Sequence, residues 1–142
     1  MNRKELAIEL HRKKFNCAQC VACSFCNVLG YDPATVFKLA EAFGGGMGTF
    51  GTCGAVTGMA MVIGMKESDG NLDDPKTKKR SYHLMGQATE MFLEKNKSII
   101  CRQLKGIDTG EPLRSCDGCI EDAIEILDEL LLGIRPEEEA DR

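Results

Sequence analysis

The chain has 142 residues, enough for one domain, and 43% of them are hydrophobic, enough for a core that needs no covalent staples. With 18 Lys and Arg against 22 Asp and Glu, the net charge is −4, which argues against nucleic acid as a main partner because phosphate binding needs a basic surplus. No apolar run reaches the roughly 18 residues needed to cross a bilayer, and the opening MNRKELAIELHRKKF breaks its apolar residues with charges, so neither a membrane partner nor an export signal is expected and the chain reads as cytoplasmic.

Helical signals follow one another along the chain, with no strand-like alternation of any length. Residues 3–13 form an amphipathic helix with Leu6, Ile8 and Leu10 among charges. Asn16 caps a second helix that runs to Leu29 and stops at Gly30. Asp32-Pro33 opens a third, with Val36, Phe37, Ala40 and Phe43 on its apolar face and glycines 44–46 ending it. Thr52 is the expected cap of a fourth helix over 53–65, apolar all round and therefore buried in the middle of the domain. Its Gly54 and Gly58 share one face and would admit a neighbouring helix, a ligand or a second copy of the chain. Asp74-Pro75 marks the start of a long fifth helix to about residue 96, with Tyr82, Met85, Thr89, Phe92 and Leu93 as its buried stripe and a solvated basic run over 76–80. Ser98 begins a short segment closed by Gly106, and Ser115 caps a last helix with Ile120, Ala123, Ile124, Leu127, Leu130 and Leu131 inward. Residues 135–142 read as a loose acidic tail. The fold class is all-α, one domain of about six helices around the buried apolar one.

Eight cysteines stand out: Cys17, Cys20, Cys23, Cys26, Cys53, Cys101, Cys116 and Cys119. Structural disulfides belong with exported proteins and are not expected here. Buried thiols packing as small hydrophobes account for two or three of the eight but not for their placement. Cys17, Cys53, Cys101 and Cys116 each fall in a predicted first helical turn, where unpaired amide N–H groups and the positive end of the helix dipole favour thiolate over thiol. A thiolate is the nucleophile of disulfide exchange and also the ligand of zinc and iron–sulfur sites. Cys17, Cys20, Cys23 and Cys26 repeat every third residue, close to a ferredoxin run but one residue short and without its proline. Cys116-Asp117-Gly118-Cys119 is a C-x-x-C at a helix start without the βαβ setting of thioredoxin.

Gly46, Gly48 and Gly51 spell a formal G-x-G-x-x-G, but no strand precedes it, so a dinucleotide site is not expected. The reading is a tight turn whose amides approach Cys53; with Thr52 and Gly54 it is the candidate cradle for a thiolate, an oxyanion or a cluster sulfide. His11 and His83 have no recognisable nucleophile beside them; His11 reads as surface and His83 as core edge.

These residues resemble the small redox-active proteins of the C_GCAxxG_C_C family. The matching pieces are FNCAQCV around Cys17, GGGMGTFGTCGAVTGMAMVIG around Cys53, CRQLKG around Cys101 and SCDGCIEDAIEIL around Cys116, in the family's order. The resemblance implies an all-helical fold, a redox role, and four shared cysteines that map to Cys17, Cys53, Cys101 and Cys116. Cys20, Cys23, Cys26 and Cys119 depart from the pattern by addition. A similar module joined to cytochromes elsewhere implies electron transfer, although no C-x-x-C-H haem attachment occurs here.

Three functions follow. In the first, Cys17, Cys53, Cys101 and Cys116 hold an iron–sulfur cluster for electron transfer or sensing. In the second, Cys53 is the nucleophile of a thiol–disulfide oxidoreductase, with Cys17, Cys101 or Cys116 resolving. In the third, Cys116 and Cys119 with Cys17 and Cys20 hold structural zinc in an interaction module. The expected partner is a redox protein or a small thiol, and a homodimer would also cover the apolar helix.

Overall fold

A computed structural model describes residues 1–135 of the chain. The acidic tail expected over 135–142 lies, beyond Arg135, outside the described residues. Among the described residues eight α-helices follow in order: α1 (Arg3–Arg12), α2 (Cys17–Cys23), α3 (Cys26–Leu29), α4 (Pro33–Ala40), α5 (Gly54–Glu67), α6 (Lys78–Asn96), α7 (Cys101–Lys105) and α8 (Cys116–Leu132). No strand occurs among the described residues; one isolated bridge joins Thr52 to Ile100. No described helix is long and apolar enough to cross a membrane.

Three of the expected caps form as local chemistry dictates. Asn16 and Gln19 make a reciprocal capping box at α2, and the Asp32 carboxylate accepts from Thr35 N at α4. Ser115 Oγ accepts from Gly118 N at 2.9 Å at α8. Elsewhere longer-range partners override the local signal. The second predicted helix is two: the chain tightens at Ser24, whose hydroxyl bonds back to Val21 O, and Phe25 starts the short α3. Thr52 does not cap α5; it is engaged with Ile100, and Cys53 itself stands at the N-cap. The long helix begins at Lys78, not at Asp74-Pro75, because the Asn71 side chain accepts from the amides of Asp73 and Asp74 and holds that stretch as a turn.

Helix α5 is the centre of the molecule and packs against α2, α6 and α8. Val56, Met59, Val62 and Ile63 join Val21, Phe25, Phe92, Ile120, Ile124 and Leu127 in one buried core. Its solvent side reaches the surface at Ala60, so α5 is apolar all round without being covered all round. On α8, Ile120, Ala123, Ile124 and Leu127 are buried as expected, while Leu130 and Leu131 are half-buried. On α6 the buried stripe is Leu84, Ala88, Phe92 and Asn96; Tyr82, Leu93 and His83 face solvent, and Met85 and Thr89 are half-buried. Ion pairs fasten the outer helices to α8: Arg3 to Asp128 at 3.1 Å, Lys4 to Glu125 at 2.7 Å and Lys95 to Glu125 at 3.0 Å.

The glycine face of α5 is covered by α2. A Cβ on Gly54 would stand 3.2 Å from both Ala18 N and Cys17 Cβ, and one on Gly58 would stand 2.9 Å from Val21 Cβ. Gly64, in the same helix, has open space on that side. Replacing Gly58 by Ala is therefore expected to lower stability by about 1–3 kcal/mol through overpacking, whereas Gly64→Ala should be neutral or stabilising by up to about 1 kcal/mol. Urea unfolding of the two variants checks the contrast.

Candidate functional site

The starts of four helices converge on one cavity of about 160 Å³. Cys17 is the first residue of α2, Cys101 the first of α7 and Cys116 the first of α8, with Cys53 at the N-cap of α5. All four line the cavity, and so does Cys119, one turn into α8. The helix-start placement expected for these cysteines is thus observed, and the fold turns four dispersed positions into one site.

Two backbone bonds set the inner wall. Cys53 N–H donates to Ile99 O at 2.7 Å, and Cys101 N–H donates to Gly51 O at 2.6 Å. This clasp joins the start of α5 to the start of α7. The glycine turn over 46–50 lies against Cys101, not Cys53: a Cβ on Gly46 would stand 2.9 Å from Cys101 Cβ. Gly51 N–H closes the turn on Gly46 O at 2.9 Å. Of the candidate cradle, Gly54 lines the cavity together with Gly45; Gly46, Gly48, Gly51 and Thr52 are not in its wall and instead shape the turn behind Cys101.

Within the cavity the thiols are paired. All are free thiols; the Cys17 and Cys116 side chains face one another within reach of a hydrogen bond, as do those of Cys53 and Cys119. In each pair one sulfur accepts and one keeps the proton. Cys116 is lowered to about 6, first by the hydrogen bond from Cys17, with Lys105 and His11 adding to it and burial and Asp117 opposing. Its partner Cys17 is pushed far up by the same bond and by burial. Cys53 is lowered to about 7 by the bond from Cys119, helped by the backbone N–H groups of Ala55 and Val56 against burial. Cys119 is correspondingly pushed up. Cys101 is raised by burial, with Lys105 opposing. A helix start therefore does not by itself make a thiolate: of the four cysteines expected to be acidified, Cys53 and Cys116 are and Cys17 and Cys101 are not.

The remaining cysteines lie along α2 and α3, outside the cavity wall. Cys20 is fully buried with its sulfur 3.6 Å from Phe15 O, and burial pushes its thiol up to about 12. Cys23 and Cys26 are free thiols whose sulfurs lie 3.9 Å from Pro33 O and 3.8 Å from Ala22 O, and burial raises both. Among the described residues no three His, Cys, Asp or Glu side chains are arranged to hold one metal ion. The two-knuckle set of Cys17 and Cys20 with Cys116 and Cys119 is accordingly not assembled: Cys20 turns to Phe15 while Cys17 turns to Cys116.

Three basic side chains missed by sequence reasoning also line the cavity: His11, Lys105 and Arg114. His11 is half-buried, and its Nδ1 lies 2.6 Å from Asp117 Oδ1, beside Cys116. Arg114 makes two bonds to the buried Asp122, Nε to Oδ2 at 3.1 Å and Nη2 to Oδ1 at 3.2 Å. Asn96 Nδ2 donates to the same carboxylate at 3.1 Å. The one available hint in the sequence was Arg114 two residues ahead of the C-x-x-C.

The family model described as "Putative redox-active protein (C_GCAxxG_C_C)" matches residues 15–130, which include every cavity cysteine. No curated protein and no solved structure matches the chain.

The acid strengths have a direct readout. Only the thiolate is alkylated, so modification of Cys116 by iodoacetamide should rise with pH through a midpoint of about 6 and then level off. Cys17→Ala removes the proton donor and should move that midpoint up toward the ordinary thiol value. Peptide mapping by mass spectrometry after timed alkylation checks both.

Proposed function

The chain belongs to the C_GCAxxG_C_C family, and we propose that within this family of redox-active proteins it works by dithiol–disulfide exchange, with Cys116 as attacking thiolate and Cys17 as resolving thiol. One observation carries this reading: the cavity sulfurs stand in pairs, each with one strengthened and one weakened acid. Exchange needs a thiolate to attack, and a second thiol in contact with it to resolve the mixed disulfide. Cys116 is half-buried where Cys53 is 6% exposed, so the outer pair meets the substrate and the nucleophile is Cys116 in place of the expected Cys53.

The step balances with a small disulfide as oxidant. The Cys116 thiolate attacks one substrate sulfur, the substrate S–S bond breaks, and one substrate thiolate leaves. Cys17 then attacks Cys116 Sγ; its proton passes to the departing thiolate and the second substrate half is released. The substrate disulfide gains two electrons and the Cys17/Cys116 pair loses them. The Cys53/Cys119 pair is a second two-electron couple in the same cavity. Either a small thiol or a redox protein with an exposed dithiol restores the reduced pair.

A second reading is an iron–sulfur cluster on Cys17, Cys53, Cys101 and Cys116, favoured by the convergence of four helix starts on one cavity. Such a cluster would supply one-electron transfer, and its ligands would stand apart around the inorganic core, so the Cys17–Cys116 contact would have to open. Cys101 separates the two readings because it has no thiol partner in the exchange scheme. Protein purified without oxygen should be colourless, without stoichiometric iron and acid-labile sulfide. Cys17→Ser should trap a mixed disulfide on Cys116, Cys116→Ser should abolish exchange, and Cys101→Ala should retain it. Brown protein that loses its iron on Cys101→Ala would establish the cluster instead.

A further inference from the structure

The exchange reading leaves the substrate open, and the cavity mouth narrows it. Resting on that reading, we infer that the substrate is a small disulfide bearing carboxylates, recognised by Arg114 and Lys105. The cavity wall holds His11, Lys105 and Arg114 and no Asp or Glu, in a protein whose net charge is −4. A volume of about 160 Å³ has room for one small thiol but not for a folded chain.

Arg114 is held in place. Asp122 engages its Nε and Nη2, and the side chain lies across Gly118, where any Cβ would collide with the guanidinium. The glycine inside the C-x-x-C is therefore the space that lets Arg114 lie beside Cys116 and Cys119. Nη1 has no protein partner among the described residues, and a guanidinium edge is suited to a carboxylate. Lys105, exposed at the end of α7, makes no ion pair among the described residues. The counter-charges at the site are Asp122, bonded to Arg114, Asp117, beside His11, Glu121, whose charge also acts on Arg114, and the Cys116 thiolate, on which Lys105 acts.

The chemistry requires such cations for this substrate class. A thiolate attacking an anionic disulfide meets like-charge repulsion, and by itself prefers a cationic one. Lys105 and Arg114 reverse that preference by binding the carboxylate while Cys116 attacks the S–S bond, in the balanced step given above.

Three disulfides with the same four-carbon skeleton and different charge test this: dithiodiglycolate, bis(2-hydroxyethyl) disulfide and cystamine, reacted in single turnover with the fully reduced, full-length protein. The anionic disulfide is expected to react at least about tenfold faster than the cationic one at low ionic strength, with the ratio falling as salt is added. Lys105→Gln should lower the anionic-to-cationic ratio several-fold, and Lys105→Glu should bring it to one or below. The ratio is the readout because it cancels any change in the acidity of Cys116. Equal rates for the three disulfides, a faster cationic substrate, or an unchanged ratio in Lys105→Gln would overturn the inference while leaving exchange intact. No reaction with any of the three would overturn the exchange reading as well.

Discussion

The close approach of α2 to α5 is the constraint on which the site depends. Gly54 and Gly58 present backbone where other residues would present a side chain, and Ala18, Val21 and Cys17 fill that space. Had α2 been held one methyl group further off, Cys17 would retreat from the start of α5 and from Cys116 at the start of α8. The glycines of the CGAVTG stretch are thus structural in their action and functional in their consequence: they bring one helix start against another.

Once the helix starts converge, the chemistry follows from making like groups unlike. Two thiols in contact in a poorly solvated cavity do not both ionise, because each charge raises the cost of the other. One proton is then shared between two sulfurs, and the neighbours decide where it rests. At Cys116 those neighbours are Lys105 and His11; at Cys53 they are the amides of Ala55 and Val56. Cys101, in the same wall but without a thiol partner, is raised first by burial and then by the charges of Cys53 and Cys116, against the pull of Lys105. Cys101 and Cys116 are both first residues of helices, and the one that receives a hydrogen bond from a second thiol is the one that is lowered.

Features settled within three or four residues were legible in the sequence. The caps at Asn16, Asp32 and Ser115 are side chain to nearby amide contacts, and they placed Cys17 and Cys116 correctly. The all-helical class followed from apolar periodicity, and the close-packing face of α5 from the spacing of its glycines. What depended on distant partners was not legible. Thr52 lost its capping role to a bridge with Ile100, and the glycine turn faces Cys101 because that residue's amide reaches Gly51 O. The pairing of Cys17 with Cys116 spans the whole core, and His11, Lys105 and Arg114 come from three separate segments. Each is an unremarkable surface residue until the fold assembles them around one opening.

Helix length adds the last element. Among the helices that begin at the cavity, the two lowered thiols start the longer ones, α5 of 14 residues and α8 of 17, while the raised Cys17 and Cys101 start helices of 7 and 5. A longer ladder aligns more peptide dipoles behind its first amides, so negative charge is better placed at the start of α8 than at the start of α2. Within the Cys17/Cys116 pair, the dipole and the two basic neighbours therefore act on the same sulfur, and the proton is left on Cys17. The asymmetry that disulfide exchange needs is in this way built from the backbone as well as from side chains. It would survive loss of either Lys105 or His11 alone, but not loss of the thiol that donates the bond.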